Sequence, residues 1–392
     1  MYDKEQAKLD NLVVDLTELV AVQHVLGTLG IGVQHTEELK AFDLALLTLQ
    51  DEFDDLDPVL AEIRARFAGL SGGWTPFLGK NRMMTNIFGA YPQTKGMSFT
   101  SALAKWDPEH ADGLLTSIEG ESGRGVRVGL LDTQVYEHPA FAGRVKAADT
   151  GALFGINPNH QYKLEEGHGV FAAGLILQQA PSATVRARHV LDENGRAYAW
   201  EVVKKLAEFY EDAELDRVHV LVLASGCRNT VDGRPPAILD RAIERLSGRM
   251  MIVAAAGNHG DIDGMSSGDV NITQNSATWP AALPRVVAAG VHDADYSPDL
   301  PWVNCTVDPA TPDGKFISTY LDSPHVQMHD QETVLPFHGY ASWEGTSCAA
   351  AVVGGAVAAT MIPGTKSAEQ ALAELMDAGR LVKSFSWPRQ RD

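Results

Sequence analysis

From residue 106 onward, short aliphatic and β-branched runs alternate with stretches of helical periodicity. That alternation restricts the fold more than any other feature of this 392-residue chain. Residues 126–131, 184–190, 218–224, 250–255 and 286–291 read as strands, and 170–179, 200–212 and 237–248 as helices. The strand runs are apolar almost throughout, so both faces of the sheet must be covered. The pattern predicts an α/β fold, a doubly wound and mostly parallel sheet with helices on both sides. In such sheets function gathers at the carboxyl ends of strands and at helix N-termini.

The first 70 residues differ. Leu16, Leu19 and Val20, then Leu39, Phe42, Leu46, Leu49 and Phe53, then Leu60, Ile63 and Phe67 recur at a spacing of about 3.6, which predicts a mainly helical region. Gly27, Gly30, Gly32 and the pair Asp57-Pro58 divide it into three helices. Residues 71–105, rich in Gly, Pro, Thr, Asn and Met, read as a linker or extended arm, leaving 106–392 as the main domain.

Charge and cysteine usage narrow the function classes. Fifty-one acidic against 32 basic residues give −19, which argues against nucleic acid and anionic membranes as partners. Residues 1–60 hold 13 Asp/Glu and three Lys, a net −10, so about half of the excess lies in the first sixth of the chain. Cys227, Cys305 and Cys348 are too few and too scattered for a disulfide framework or a zinc site. The opening Met-Tyr-Asp-Lys-Glu-Gln has no basic segment leading into an apolar one, so a cytoplasmic location is expected. The longest apolar stretch, 349–362, falls short of the roughly 18 residues of a membrane span.

Four segments sit where an α/β sheet places its chemistry. Asp132 ends the first strand of the main domain, and His168 opens a helix in His-Gly-Val-Phe-Ala-Ala-Gly. Asn258 follows a strand in Ala-Ala-Ala-Gly-Asn, and Ser347 opens the last apolar helix in Gly-Thr-Ser-Cys-Ala-Ala. Singly, each has an ordinary reading as a turn, a cap or a structural side chain. Together, and in that order, they resemble the subtilisin-like serine proteases, the subtilases, whose chain order is Asp, His, Ser. The likeness runs from Gly120 to about Pro363. It includes Gly120-Glu-Ser-Gly-Arg-Gly-Val before the Asp, His138-Pro139-Ala-Phe after it, and Trp279-Pro280-Ala281-Ala282 after the Asn, where the family's Pro is commonly cis. Departures fall beside the functional positions: Gln134 after Asp132-Thr133, Val170-Phe171 after His168-Gly169, and Cys348 and Ala351 after Ser347. Cys348 reads as a buried small side chain rather than a reactive thiol.

The resemblance implies a serine endopeptidase with Asp132, His168 and Ser347 as catalytic triad. The Asn258 amide and the Ser347 backbone N–H would form its oxyanion hole. A peptide or protein substrate would bind as an extended strand between segments that include Ser225 and Gly226 on one side and Ala255, Ala256 and Gly257 on the other. Thr278 maps near the base of the pocket for the residue before the cut, and its lack of charge argues against selection of a basic residue there. Structural calcium is common in the family. No loop here is dense in Asp and Asn at ligand spacing, and Asp261-Ile-Asp263 reads as a solvated loop, so no metal or other cofactor is expected.

Family members carry a small α/β prodomain, whereas residues 1–70 here read as helical. They can be a propeptide, a docking module for a basic partner or precursor, or a stabilising appendage; as a propeptide, residues 71–101 would lie in or near the cleft. The expected activity is restricted intracellular processing of a peptide or protein precursor. The alternatives are a catalytically silent peptide-binding pseudoprotease and a protease effector held inactive by its N-terminal region. The related sedolisins use Glu in place of the His and Asp in place of the Asn, so His168 and Asn258 exclude them.

Overall fold

A computed structural model describes residues 7–86, 120–227, 235–260, 273–297, 299–310, 314–328 and 332–381. The N-terminal unit runs β1 (Ala7–Asp15), α1 (Leu19–Thr28), β2 (Val33–Leu39), β3 (Leu44–Leu49), α2 (Asp57–Leu70) and β4 (Leu78–Asn86). Its strands pair antiparallel in the order β4-β1-β3-β2. This corrects the expectation of a mainly helical region. Helices form near the first and third predicted positions, but the second prediction, around 39–53, falls on β3. The run Leu44-Ala-Leu-Leu-Thr-Leu49 is apolar at almost every position, and over six residues periodicity cannot separate a doubly covered strand from a helix. β4 likewise lies inside the predicted linker, whose residues 87–105 are outside the described part.

The strands of this unit are apolar on both faces because both are covered. Leu12 and Val14 of β1, with Ala45, Leu47 and Leu49 of β3, pack with Val22, Leu26, Leu60 and Ile63 of the two helices. Val13, Leu44 and Leu46 point the other way, into a cluster shared with the main domain.

The main domain is built on seven strands: β5 (Arg127–Asp132), β6 (Val145–Ala147), β8 (Thr184–His189), β10 (Val220–Leu223), β12 (Met251–Ala255), β13 (Val286–Val291) and β14 (Cys305–Val307). All neighbours are parallel, in the order β14-β13-β12-β10-β5-β8-β6. Between these strands lie β7 (Tyr162–Lys163), α3 (His168–Gln179), β9 (Arg196–Tyr198), α4 (Ala199–Glu211), β11 (Ser225–Gly226) and α5 (Ala237–Ser247). A long antiparallel hairpin, β15 (Phe316–Gln327) and β16 (Val334–Trp343), leads to α6 (Thr346–Thr360) and α7 (Ala368–Asp377).

Alternation along β10 sorts the two layers. Val220 and Val222 join α3 and α6 on one face; Leu221 and Leu223 join α4 and α5 on the other. The small residues of α6 let it lie close to its neighbours. A Cβ on Gly354 would come within 2.4 Å of Val222 Cγ2, and one on Gly355 within 2.7 Å of the Ile176 carbonyl oxygen. The stretch noted as too short for a membrane span is this buried helix; no helix among the described residues is long and apolar enough to cross a membrane.

The N-terminal sheet docks on α4 and α5 through charge as well as apolar area. Asp15 pairs with Arg241 at 3.0 Å, Asp43 with Arg245, and Glu37 with Lys204 at 3.0 Å while also accepting from Trp200 Nε1 at 2.8 Å. Asn81 Oδ1 accepts the Trp200 N–H at 2.9 Å, satisfying a donor in the first turn of α4 that no side chain of the main domain caps. Burial by itself would raise the Asp15 and Glu37 carboxyls, but their hydrogen bonds (Thr17 and Arg241 for Asp15; Trp200 and Lys204 for Glu37) outweigh it and hold both below their ordinary values. Groups with lowered values favour the docked form above their ordinary range, and that preference is lost as pH falls through the lowered one. Docking is therefore expected to weaken below about pH 4. Resistance of residues 7–86 to an added acid-active protease, followed across pH, checks this; resistance unchanged down to about pH 3 would contradict it.

Candidate active site

Each functional side chain is placed by the end of a regular element. Asp132 is the last residue of β5, His168 the first of α3, and Ser347 the second of α6, while Asn258 lies three residues beyond β12. Those ends converge. His168 Nδ1 is 2.8 and 2.9 Å from the two Asp132 carboxylate oxygens, and His168 Nε2 is 3.0 Å from Ser347 Oγ. A carboxylate only accepts, so Nδ1 carries the proton and leaves Nε2 as acceptor for the serine hydroxyl. Asp132 is fully buried, and the Thr133 N–H donates to its Oδ1 at 2.7 Å. Thr133 Oγ1 in turn accepts the Gly169 N–H at 2.9 Å, tying the Asp132 turn to the start of α3.

The second convergence involves Asn258. Its Oδ1 accepts the Thr346 N–H at 2.8 Å, which turns the amide nitrogen away from Thr346. Thr346 Oγ1 accepts the Gly257 N–H at 2.9 Å and donates to the Gly257 carbonyl at 3.1 Å, so the two segments are clamped at three points. Gly345, at φ +139°, keeps the space beside them open: a Cβ there would stand 3.0 Å from Asn258 Nδ2 and 3.5 Å from Ser347 Oγ. The Asn258 side-chain amide thus lies beside the serine oxygen at the N-terminus of α6. That arrangement suits a developing oxyanion.

Trp343 and Thr346, which sequence reasoning left aside, belong to the same constellation. Trp343 closes β16 and meets the His168 ring edge to face at 5.2 Å, with Phe171 and Tyr320 behind it. Phe171 departs from the family pattern, and this aromatic packing gives it a partner. For Thr346 the signal was present in the Gly-Thr-Ser motif; for Trp343 none was, because only the hairpin brings it to the imidazole. His138 Nδ1 accepts the Ala140 N–H at 3.2 Å, so Nε2 donates to the Gly339 carbonyl at 2.8 Å and ties the loop after β5 to β16. Burial drives the Cys348 thiol up to about 12, which makes it an inert packing group. The Trp279-Pro280 peptide is cis.

The segments expected to bind substrate lie beside this centre. Ser225 and Gly226 form β11; Ala255 ends β12, followed by Ala256 and Gly257, and all five are buried. Thr278 is buried next to Gly257, with its Oγ1 2.5 Å from where a Gly257 Cβ would stand. The edge expected to bind substrate is already paired. β4 of the N-terminal unit runs antiparallel to β11, with Asn86 opposite Ser225 and Thr85 opposite Gly226. On its other side β4 pairs with β9, with Met84 opposite Ala197. The N-terminal unit therefore inserts a strand between two backbone edges of the main domain. Asp261 and Asp263 lie outside the described residues; among those described, no group of three or more His, Cys, Asp or Glu is placed to hold a metal ion.

Known proteins share this plan. The sequence pattern of the subtilase family matches residues 123–374. Subtilisin BL of Lederbergia lenta is 28% identical over 250 residues, which cover 61% of this chain and 77% of that protein. Subtilisin E of Bacillus subtilis (strain 168) is 27% identical over 251 residues, covering 61% of this chain and 56% of that protein. Among solved structures, fervidolysin from Fervidobacterium pennivorans, a keratinolytic enzyme related to subtilisin, superposes with a TM-score of 0.58 at 17% identity. That likeness of fold covers 92% of this chain and 55% of that one.

Proposed function

Because the chain belongs to the subtilase family and is a subtilisin-like serine endopeptidase, we propose that Asp132, His168 and Ser347 are its catalytic triad and that its N-terminal unit occupies its own substrate groove. The observation that carries the reading is the continuous set of hydrogen bonds from Asp132 through His168 to Ser347 Oγ. His168 takes the serine proton as Ser347 attacks the peptide carbonyl, then delivers it to the leaving amine. Asp132 holds the ring in the tautomer this requires. The Asn258 amide and the Ser347 N–H receive the negative charge of the tetrahedral intermediate. Water then releases the acyl group by the same route, and no metal or cofactor takes part.

The substrate lies as an extended strand along Ser225 and Gly226, the edge that β4 now pairs with, with Ala255, Ala256 and Gly257 on its other side. Small side chains at Ala224, Ala255 and Ala256 leave room for an apolar or aromatic residue before the cut, and the uncharged Thr278 gives a basic one no counter-charge. We propose a restricted role, the processing of a peptide or protein precursor in the cytoplasm. The acidic residues of the N-terminal unit that do not pair with α4 and α5 are the candidate surface for a basic partner or precursor.

The pairing of β4 with β11 supports a second reading of the same enzyme, a protease held inactive until its N-terminal unit is cut or displaced. Incubating the pure chain and sequencing new N-termini tests this. A cut is expected between Trp74 and Ala104, a span whose residues 87–104 lie outside the described part, together with a rise in peptidase activity. An uncut chain with full activity on a peptide library would contradict it.

A further inference from the structure

We propose that Tyr296 is a positioning residue of this protease, holding the two arms of the oxyanion site at their set separation. The proposal rests on the assignment of Asn258 and the Ser347 N–H as oxyanion donors made above. The two arms come from distant parts of the chain, residues 257–260 after β12 and residues 344–347, which lead into the first turn of α6. Tyr296 touches both. Its carbonyl oxygen accepts the Gly260 N–H at 2.9 Å, two residues past Asn258. Its hydroxyl accepts the Gly345 N–H at 3.3 Å, two residues before Ser347, and donates toward the Gly314 carbonyl at 3.5 Å.

The mount is itself fixed. Ser297 Oγ accepts the N–H of Val291, the last residue of β13, at 2.9 Å, so the loop carrying Tyr296 is tied to the central sheet. The contact with the first arm is close: a Cβ on Gly260 would lie 2.6 Å from the carbonyl oxygens of both Asp295 and Ser297. Each arm meets Tyr296 through a backbone N–H, that of Gly260 and that of Gly345. Gly345 accepts the Cys348 N–H at 3.1 Å and so sets the first turn of α6, whose second residue is the nucleophile. Burial raises the Tyr296 phenol above its ordinary value, so it stays a neutral donor and acceptor into alkaline solution.

The geometry gives the hydroxyl a role distinct from packing. Without it, Gly345 loses an acceptor and the Ser347 N–H is freer to drift from Asn258 Nδ2. The donors would then meet a planar carbonyl nearly as before, but a tetrahedral oxyanion less well. Tyr296→Phe removes one oxygen and keeps the ring. Measured on the incubated full-length protein, it is expected to lower kcat about three- to tenfold, the size of one neutral hydrogen bond, with KM within about twofold. Affinity for a peptidyl boronic acid, which mimics the tetrahedral state, should fall by the same factor, and affinity for a product peptide should not.

The discriminating measurement is a double-mutant cycle with Asn258→Ala. If Tyr296 acts through the oxyanion site, Tyr296→Phe costs less than about twofold once the Asn258 amide is gone. An equal loss in both backgrounds, a change confined to KM, or no loss at all would overturn the proposal. Should Asn258→Ala leave kcat unchanged, the assignment of the oxyanion donors fails instead, and this inference falls with it.

Discussion

Replacing Ser347 by alanine is expected to lower kcat on the order of 10⁶-fold, the loss that removal of the nucleophile causes in subtilisin itself. The fold should survive. Ser347 Oγ contributes a 3.0 Å hydrogen bond to His168 Nε2, whereas α6 is anchored by the small residues along its length and by the Thr346 clamp. An alanine at this position keeps the helix N-terminus and removes only the nucleophilic oxygen. The variant should also leave the N-terminal unit uncut, because the same centre would perform both reactions. Circular dichroism and thermal unfolding alongside the kinetics separate lost chemistry from lost structure. A Ser347→Ala protein that folds and still cleaves peptides would contradict the assignment.

The next largest effect is expected from Asn258. Removing one oxyanion donor costs roughly 10²–10³ in kcat, and the measured case behind that figure is again a subtilisin. Here Asn258 does two things. Its Oδ1 accepts the Thr346 N–H, and its amide nitrogen faces the space that Gly345 leaves open beside Ser347 Oγ. Asn258→Ala removes both, whereas Asn258→Asp keeps an acceptor for Thr346 and turns the donor into a negative charge. The aspartate variant is therefore expected to lose at least as much kcat as the alanine variant while keeping more of its thermal stability. Because the donor acts on charge that develops during the reaction, the loss belongs in kcat, with KM changed little. A loss confined to KM in both variants would show that Asn258 binds the ground state instead.

Most of the main domain was legible because its signals are local. The strands around 126–131, 184–190 and 286–291 form within a residue of their predicted ends, since doubly covered parallel strands announce themselves as unbroken apolar runs between helical stretches. Asp132, His168, Asn258 and Ser347 were each visible at the end of such an element, and the structure brings all four together. The N-terminal unit was misread for the same physical reason in reverse. Phe42, Leu46, Leu49 and Phe53 satisfy a helical period, but Leu44, Ala45 and Leu47 fill the gaps between them. The run is apolar on both sides because one face meets α1 and α2 while the other meets α4 and α5.

Sequence could not show that second face, because it exists only once the unit is docked. Nor could it show that Asp15, Glu37 and Asp43 find their cations on α4 and α5, more than a hundred residues away. Part of the N-terminal acidity is thus internal complementarity. Trp343 and Tyr296 were illegible too: their roles come from contacts made across the sheet by a hairpin and a loop.

The central claim is that Ser347 is a nucleophile activated by His168 and Asp132. A fluorophosphonate probe applied to the incubated protein, with the modified residue located by mass spectrometry, tests it most directly. The account predicts one adduct, on Ser347, absent from Ser347→Ala and strongly slowed in His168→Ala. A protein that stays unlabelled after residues 1–100 have been removed, or labelling that persists in Ser347→Ala, would contradict it.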